Sequence, residues 1–229
     1  MSLTVLAAAL AVLFAGAVCA AVARTGERAW RISAGSGAVA CGLGGGASVT
    51  LLLSGRTQTF RVAWSPPINA LSAGIDPLSA FFLLCIFVVG GLALVYAAGY
   101  FADVAVQRAV GPALAWLQGL IAAMALVVLA RDVIGFLVAW ELMFLASYFL
   151  VTFDDHDERV RAAGFTYLVA SHISVVLLFI LFGLLMRRAG SLDFAAFSAA
   201  PPSAAMAALC FAMALVGFGI KAGLWPLHG

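Results

Sequence analysis

The chain has 229 residues, of which 65% are hydrophobic and 10% charged, with a formal net charge of +2 and a mean hydropathy of +1.14. Average soluble domains carry about 25% charged residues, so lipid is the solvent for most of this chain and its elements must satisfy their own backbone groups. The near-neutral charge and the absence of a basic run exclude a nucleic-acid partner.

The first 23 residues, MSLTVLAAALAVLFAGAVCAAVA, end in small residues as a secretory signal does. No Lys or Arg precedes the apolar run, however, and a signal needs a basic leader. The stretch therefore reads as a first membrane helix, 3–23, with a cleaved signal as the lesser alternative. A spanning helix needs roughly 20 apolar residues, and six further segments qualify: 32–54, 78–101, 112–129, 133–153, 164–186 and 202–227. The expected fold is an all-α polytopic membrane protein of about seven transmembrane helices in a single transmembrane domain, 1–229. Its last helix is interrupted near Pro226, which removes a backbone donor.

The second segment, ISAGSGAVACGLGGGASVTLLLSG, is rich in glycine. Glycine suits close backbone approach in membranes, and a re-entrant or poorly packed helix is the alternative. Residues 55–76 contain SPPIN and predict an irregular surface loop. Asp76 is placed as an N-cap, with Pro77 at the first helical position. DDHDERVR, residues 154–161, predicts a solvated turn and takes His156 with it. Gly190-Ser191 breaks the chain after the sixth helix, and SAAPPS introduces the seventh.

Cys19, Cys41, Cys85 and Cys210 lie far apart in apolar runs, with no C-x-x-C and no Cys/His cluster at metal spacing. They are expected to be buried, inert thiols, and no redox cofactor or metal is expected. The loop RTGERAWR favours an outside N-terminus, although the arginines divide six against five between the two sides.

Three ionisable groups fall inside these helices. Glu141, in FLVAWELMFLASYFL, lies nine residues after Asp132 and thirteen before Asp154. At about 1.5 Å per residue it is some 13 Å from the nearer polar edge, too far for a short carboxylate to reach water. A charge at helix centre costs on the order of 3 kcal/mol by insertion scales, so the group must be protonated or partnered. Tyr148 and Thr152 follow on the same face. Lys221 follows LCFAMALVGFGI, with Gly217 and Ala214 on its face leaving room for a second helix or for water. An interrupted helix beside an ionisable group is a recurring transporter feature. His172 lies in YLVASHISVVLLF, and His228 follows just beyond Pro226. Both could equally be packing histidines, but their ordinary pKa allows proton relay near neutral pH. A structural ion pair is the bland reading of Glu141 and Lys221, whose contact the sequence leaves open. Desolvation would lower the lysine's proton affinity and a nearby carboxylate would raise it.

WELMFLASYFLV, GSLDFAAF and GFGIKAGLWPLHG resemble the proton-pumping membrane subunits of complex I and the Mrp antiporters. The likeness is strongest to the branch of hydrogenase-4 component B and the formate hydrogenlyase membrane subunit. DPLSAFF, with YAAGYF after it, fits as well, and the resemblance runs from about residue 70 to the end. It implies a core of about fourteen helices in two inverted repeats, a common transporter pattern. This chain is expected to hold the N-terminal part of that partial antiporter-like subunit fold, with the second half absent. The family's fifth-helix glutamate falls on Glu141, the lysine of its broken seventh helix on Lys221, and the histidine after that helix's Pro-Leu on His228. His172 matches a histidine of the hydrogenase-4 branch.

The resemblance implies a non-catalytic, proton-translocating subunit of a hydrogenase-4/formate hydrogenlyase or NADH:quinone oxidoreductase-type complex in the cell inner (plasma) membrane. Protons would pass through Glu141, Lys221, His172 and His228. Its partners would be other membrane subunits, a peripheral electron-transfer arm, the lipid bilayer and protons. An Mrp-type cation/proton antiporter subunit is the alternative; a non-transporting scaffold or inactive fragment is the third reading.

Overall fold

A computed structural model describes residues 2–63, 70–104 and 110–224. In chain order these form α1 (Ser2–Ala21), α2 (Gly26–Ser54), β1 (Gln58–Ala63), β2 (Ala70–Ile75), α3 (Pro77–Val104), α4 (Gly111–Leu129), α5 (Val133–Val151), α6 (Glu158–Ala189), α7 (Phe194–Ala199) and α8 (Ala204–Ala222). All the helices except the short α7 are long and apolar enough to cross a membrane, seven in all. The chain is thus a helical, multi-pass membrane protein, as its composition requires. The expected break near Pro226 lies outside the described residues, but α8 already ends at Ala222, where Gly223 takes the left-handed conformation at φ 67° and closes the helix. Only glycine adopts that geometry without strain.

Helices α1 to α4 share a core of apolar side chains around Leu13, Leu51, Leu83, Phe87 and Ile121. The glycine-rich second segment is neither re-entrant nor loose. It is one continuous 29-residue helix, capped at its start by the Thr25 side chain. Its glycines make room for α3: a methyl group at Gly37 would collide with Leu94, and one at Gly44 with the Phe87 ring. Across the same bundle the fully buried Gln118 of α4 donates to Ser33 Oγ at 2.9 Å and accepts from Ser36 Oγ at 3.2 Å. A buried amide in hydrocarbon must find such partners, so this trio fixes the register of α4 against α2.

Residues 55–76 depart from the expected irregular loop. They contain an antiparallel hairpin, with register running from Gln58↔Ile75 to Ala63↔Ala70. The strands are short, and the SPPIN turn signal between them masks their two-residue alternation. The hairpin is anchored at the corner between α4 and α5. Backbone bridges join Ala73 to Ala130 and Asp132 to Asp193, so residues 130–132 run as a short middle strand between β2 and the segment before α7. Arg131 N–H donates to Ser72 O at 2.9 Å, Val133 N–H to Leu192 O at 3.0 Å, and Phe194 N–H to Arg131 O at 3.1 Å.

Side chains complete the corner. Asp132 is 2% exposed and caps α5 by accepting from Gly135 N–H at 2.8 Å. Its other oxygen accepts from Ser72 N–H at 2.6 Å and lies 3.4 Å from Ser72 Oγ. The Arg131 guanidinium donates to Ser79 Oγ at 2.7 Å and to Asp76 Oδ2 at 3.3 Å. Asp76 caps α3 as expected, accepting from Ser79 N–H at 2.7 Å. On the outside, Arg61 of β1 pairs at 2.9 Å with Asp193, which caps α7. The turn before α6 is exposed, as expected, and Asp157 within it caps that helix. Of the four free cysteines, Cys41 and Cys210 are buried, but Cys19 and Cys85 lie on the outer surface of the bundle, which corrects the expectation that all are buried.

Asp132→Ala would strip acceptors from two backbone N–H groups, and unsatisfied buried donors cost about 1–3 kcal/mol each. The expected loss is therefore about 3 kcal/mol, read as a lower unfolding midpoint in detergent together with earlier proteolysis in the hairpin. Asp132→Asn, which keeps an acceptor oxygen, should lose less. Asp76 offers a pH test, because its carboxyl is held below the ordinary carboxylate range. The Ser79 backbone N–H is the main cause, aided by the Ser79 hydroxyl and by Arg131, against an opposing desolvation. A depressed folded value means that its stabilisation is present above the unfolded value of about 3.9 and is lost as pH falls through the folded one. Asp76→Asn should lower the unfolding midpoint at neutral pH, and the gap to the wild type should close in acid. A gap that persists unchanged below about pH 3 would contradict this.

Candidate functional site

Helix α6 presents Tyr167, Ser171, Ser174 and Leu178 at four- and three-residue spacing, which places them on one face. That face meets α8. Ser174 Oγ donates to Gly217 O at 2.6 Å, and a methyl group at Gly217 would lie 3.0 Å from Leu178 Cδ2. The small residue at Gly217 therefore brings the two backbones together, the first of the two uses its position suggested. On the far side of α8, Phe218 packs against Phe136 and Trp140 of α5, with ring centroids 6.1 Å and 5.4 Å apart.

These contacts fix Lys221, one turn beyond Gly217. It is the only lysine in the sequence and lies in the last turn of α8, where unpaired carbonyls favour a cation. Its ammonium donates a hydrogen bond to the Tyr167 hydroxyl. Nζ lies 4.9 Å from the Tyr167 ring centroid and 5.9 Å from that of Phe144. Cation–π contacts are worth about 2 kcal/mol or more when desolvated. The buried Phe144 ring of α5 is the hub of the cluster, 5.6 Å from the Tyr167 ring and 5.2 Å, edge to face, from the His172 imidazole.

His172 lies on the exposed side of α6, with Nδ1 2.8 Å from Leu168 O. That contact makes Nδ1 the protonated nitrogen of the neutral ring and leaves Nε2 available. Glu141 sits in mid-α5, one turn before Phe144, half-buried. Among the described residues it makes no hydrogen bond and no ion pair, to Lys221 or to any other group. It borders an apolar recess of about 240 Å³ with Leu137, Val138 and Phe179. His228 lies outside the described residues. The structure thus gathers Lys221 and His172 around Phe144 and leaves Glu141, one turn before Phe144, without a polar partner among the described residues. Thr152, in the stripe below Glu141, faces α6, where a methyl group at Gly164 would strike it.

Sequence reasoning missed Tyr167 and Phe144. The polar spacing of Tyr167, Ser171 and Ser174 was a readable signal. Phe144 was not, since one phenylalanine among many in an apolar run carries none. A larger recess of about 630 Å³ lies between α1, the hairpin and α5, but the single ionisable group at its edge, Asp132, is already committed to the corner. Chemically, the lysine cluster is a part-buried amine among aromatic rings with one neutral hydroxyl acceptor. Among the described residues no group of three or more His, Cys, Asp or Glu side chains could hold a metal.

Residues 130–229 match the family described as NADH:quinone oxidoreductase/Mrp antiporter, TM. Hydrogenase-4 component B of Escherichia coli (strain K12) is 33% identical over 172 residues, covering 74% of this chain and 25% of the relative. An uncharacterized protein of Mycobacterium tuberculosis is 34% identical over 194 residues, 84% of this chain and 30% of its own length. NADH-quinone oxidoreductase subunit L of the same species is 29% identical over 211 residues, 87% of this chain and 33% of its length. Among solved structures, the membrane-bound sulfane sulfur reductase, an archaeal respiratory membrane complex, superposes with a TM-score of 0.77 at 25% identity, over 96% of this chain and 34% of that one. The Mrp complex from Dietzia sp. DQ12-45-1b superposes with a TM-score of 0.78 at 22% identity, over 97% and 24%. The chain spans between a quarter and a third of the length of these curated relatives. With the site's lysine and glutamate both inside the matched residues, the chain belongs to the complex I/Mrp antiporter-like family of membrane proteins.

Proposed function

We propose that this chain is a proton-translocating membrane subunit, or the N-terminal part of one, in a complex of the hydrogenase-4/formate hydrogenlyase or NADH:quinone oxidoreductase type. Electron transfer takes place in partner subunits, including a peripheral arm, and the chain itself holds no cofactor. The complex sits in the cell inner (plasma) membrane. The observation that carries this reading is Lys221: the only lysine, at the end of α8, surrounded by aromatic rings and held by one hydroxyl. A soluble-surface lysine needs no such setting, and a purely structural cation would be paired with a carboxylate.

The mechanism follows from proton affinity. Desolvation favours the neutral amine, and an approaching carboxylate favours the ammonium. Glu141, unpaired and one turn from the Phe144 hub, is the carboxylate that loads the lysine when the two approach. Strong coupling would then give the pair, rather than either residue, its apparent pKa values. His172, with Nε2 available, and His228 relay protons to and from the pair. An Mrp-type cation/proton antiporter subunit is the second reading, supported by the likeness to the Mrp complex over 97% of the chain.

In native membranes, Glu141→Gln and Lys221→Ala should each cut proton movement coupled to electron transfer by at least about tenfold, the effect of losing roughly 1.4 kcal/mol at one transfer step. Assembly, followed by native gel, should persist. Pumping at the wild-type level in both variants rejects these roles. Proton movement that needs a sodium or potassium gradient and no electron donor selects the antiporter reading.

A further inference from the structure

The ammonium of Lys221 has a neutral partner, although α5, which supplies the Phe144 ring, also carries the carboxylate of Glu141 one turn earlier. Its hydrogen bond goes to the Tyr167 hydroxyl, and the other ring near it is that of Phe144. The titratable groups set around it are Tyr167 and His172 on α6 and Glu141 and Tyr148 on α5. None of these besides Tyr167 touches it through a hydrogen bond or ion pair. The choice of partner has a chemical consequence. A lysine paired with a buried carboxylate keeps its proton, because release would leave the carboxylate uncompensated. A lysine facing a phenol keeps an acceptor for its charged form and leaves no stranded charge when it becomes neutral.

We propose that Tyr167 is the positioning residue that sets the proton affinity of Lys221, holding it in the aromatic cage apart from Glu141. The flexible four-carbon stem of lysine allows it to leave that cage, and the two α6–α8 contacts at Gly217 keep the cage in register with the helix that carries the lysine. The functional meaning of this device rests on the reading of Lys221 as the proton carrier, but the device can be tested on the lysine alone.

Because Lys221 is the only lysine, no other side-chain amine competes with it. The protein in native membranes is labelled with fluorodinitrobenzene from about pH 6 to about pH 11, and the peptide carrying Lys221 is quantified by mass spectrometry. Only the neutral amine reacts. Tyr167→Phe keeps the ring and removes the hydroxyl acceptor, so the apparent pKa should fall by about one unit and labelling below it should quicken about tenfold. Phe144→Leu, which keeps the hydroxyl and removes one ring face, should shift the curve the same way by less. An unchanged curve in Tyr167→Phe overturns the proposal. Should Tyr167→Phe not reach the membrane, an unchanged curve in Phe144→Leu overturns it equally. A shifted curve with undiminished proton movement would retain the tyrosine's role and reject the transport reading.

Discussion

The carboxylate of Asp132 is the constraint on which the rest depends. It is buried at the end of a membrane helix, where an unsatisfied charge would be costly, and it is saturated from two directions. One oxygen caps α5 and the other holds the hairpin through Ser72. The direction in which α5 leaves the corner is therefore tied to the hairpin, and through Arg131 and Asp76 to the start of α3. The same three residues that turn α4 into α5 also receive the segment before α7. A membrane bundle gains little hydrophobic drive from helix–helix contact, since lipid is as apolar as leucine. Hydrogen-bonded corners of this kind are where such a bundle acquires a single arrangement.

Phe144 inherits its position from that corner. It lies twelve residues beyond Asp132 on the same helix, at about 1.5 Å per residue some 18 Å into the bundle. There it meets α6 and α8, whose spacing is set by Gly217 and the Ser174 bond. The lysine's surroundings thus come from three helices with separate origins. That arrangement explains why the site is apolar yet has an acceptor: the rings come from packing and the hydroxyl from the polar stripe of α6.

The parts of the fold that composition and length control were legible in the sequence. Seven apolar stretches became seven long helices, because in lipid each must bond its own backbone. Asp76 announced its cap through the following proline. The hairpin was hidden, because six-residue strands give a weak alternation and the proline pair between them outweighs it. The continuity of α2 was hidden as well, since whether glycines loosen a helix or seat a neighbour depends on Phe87 and Leu94 of another helix. At the site, depth singled out Glu141, Lys221 and His172. Their relative placement depends on side-chain facing across three helices, which no single periodicity encodes, and so Tyr167 as the lysine's partner emerged only from the fold.

A carboxylate one turn from Phe144, on the helix that helps to cage an amine held by a neutral group, is a meaningful arrangement. Had Glu141 been bonded to Lys221, both charges would be satisfied and removal of either would be costly, which suits a structural brace. On the proposed reading, with Glu141 not bonded to the amine, the lysine would have two environments, the aromatic cage and the carboxylate, separated by a movement of its own stem. An equilibrium between two such states shifts only as far as a ligand or a field favours one over the other. On the proposed reading, a charge, a water file or a neighbouring helix that alters the energy of Glu141 would therefore alter the occupancy of Lys221, and the neutral hydroxyl of Tyr167 would keep the second environment available.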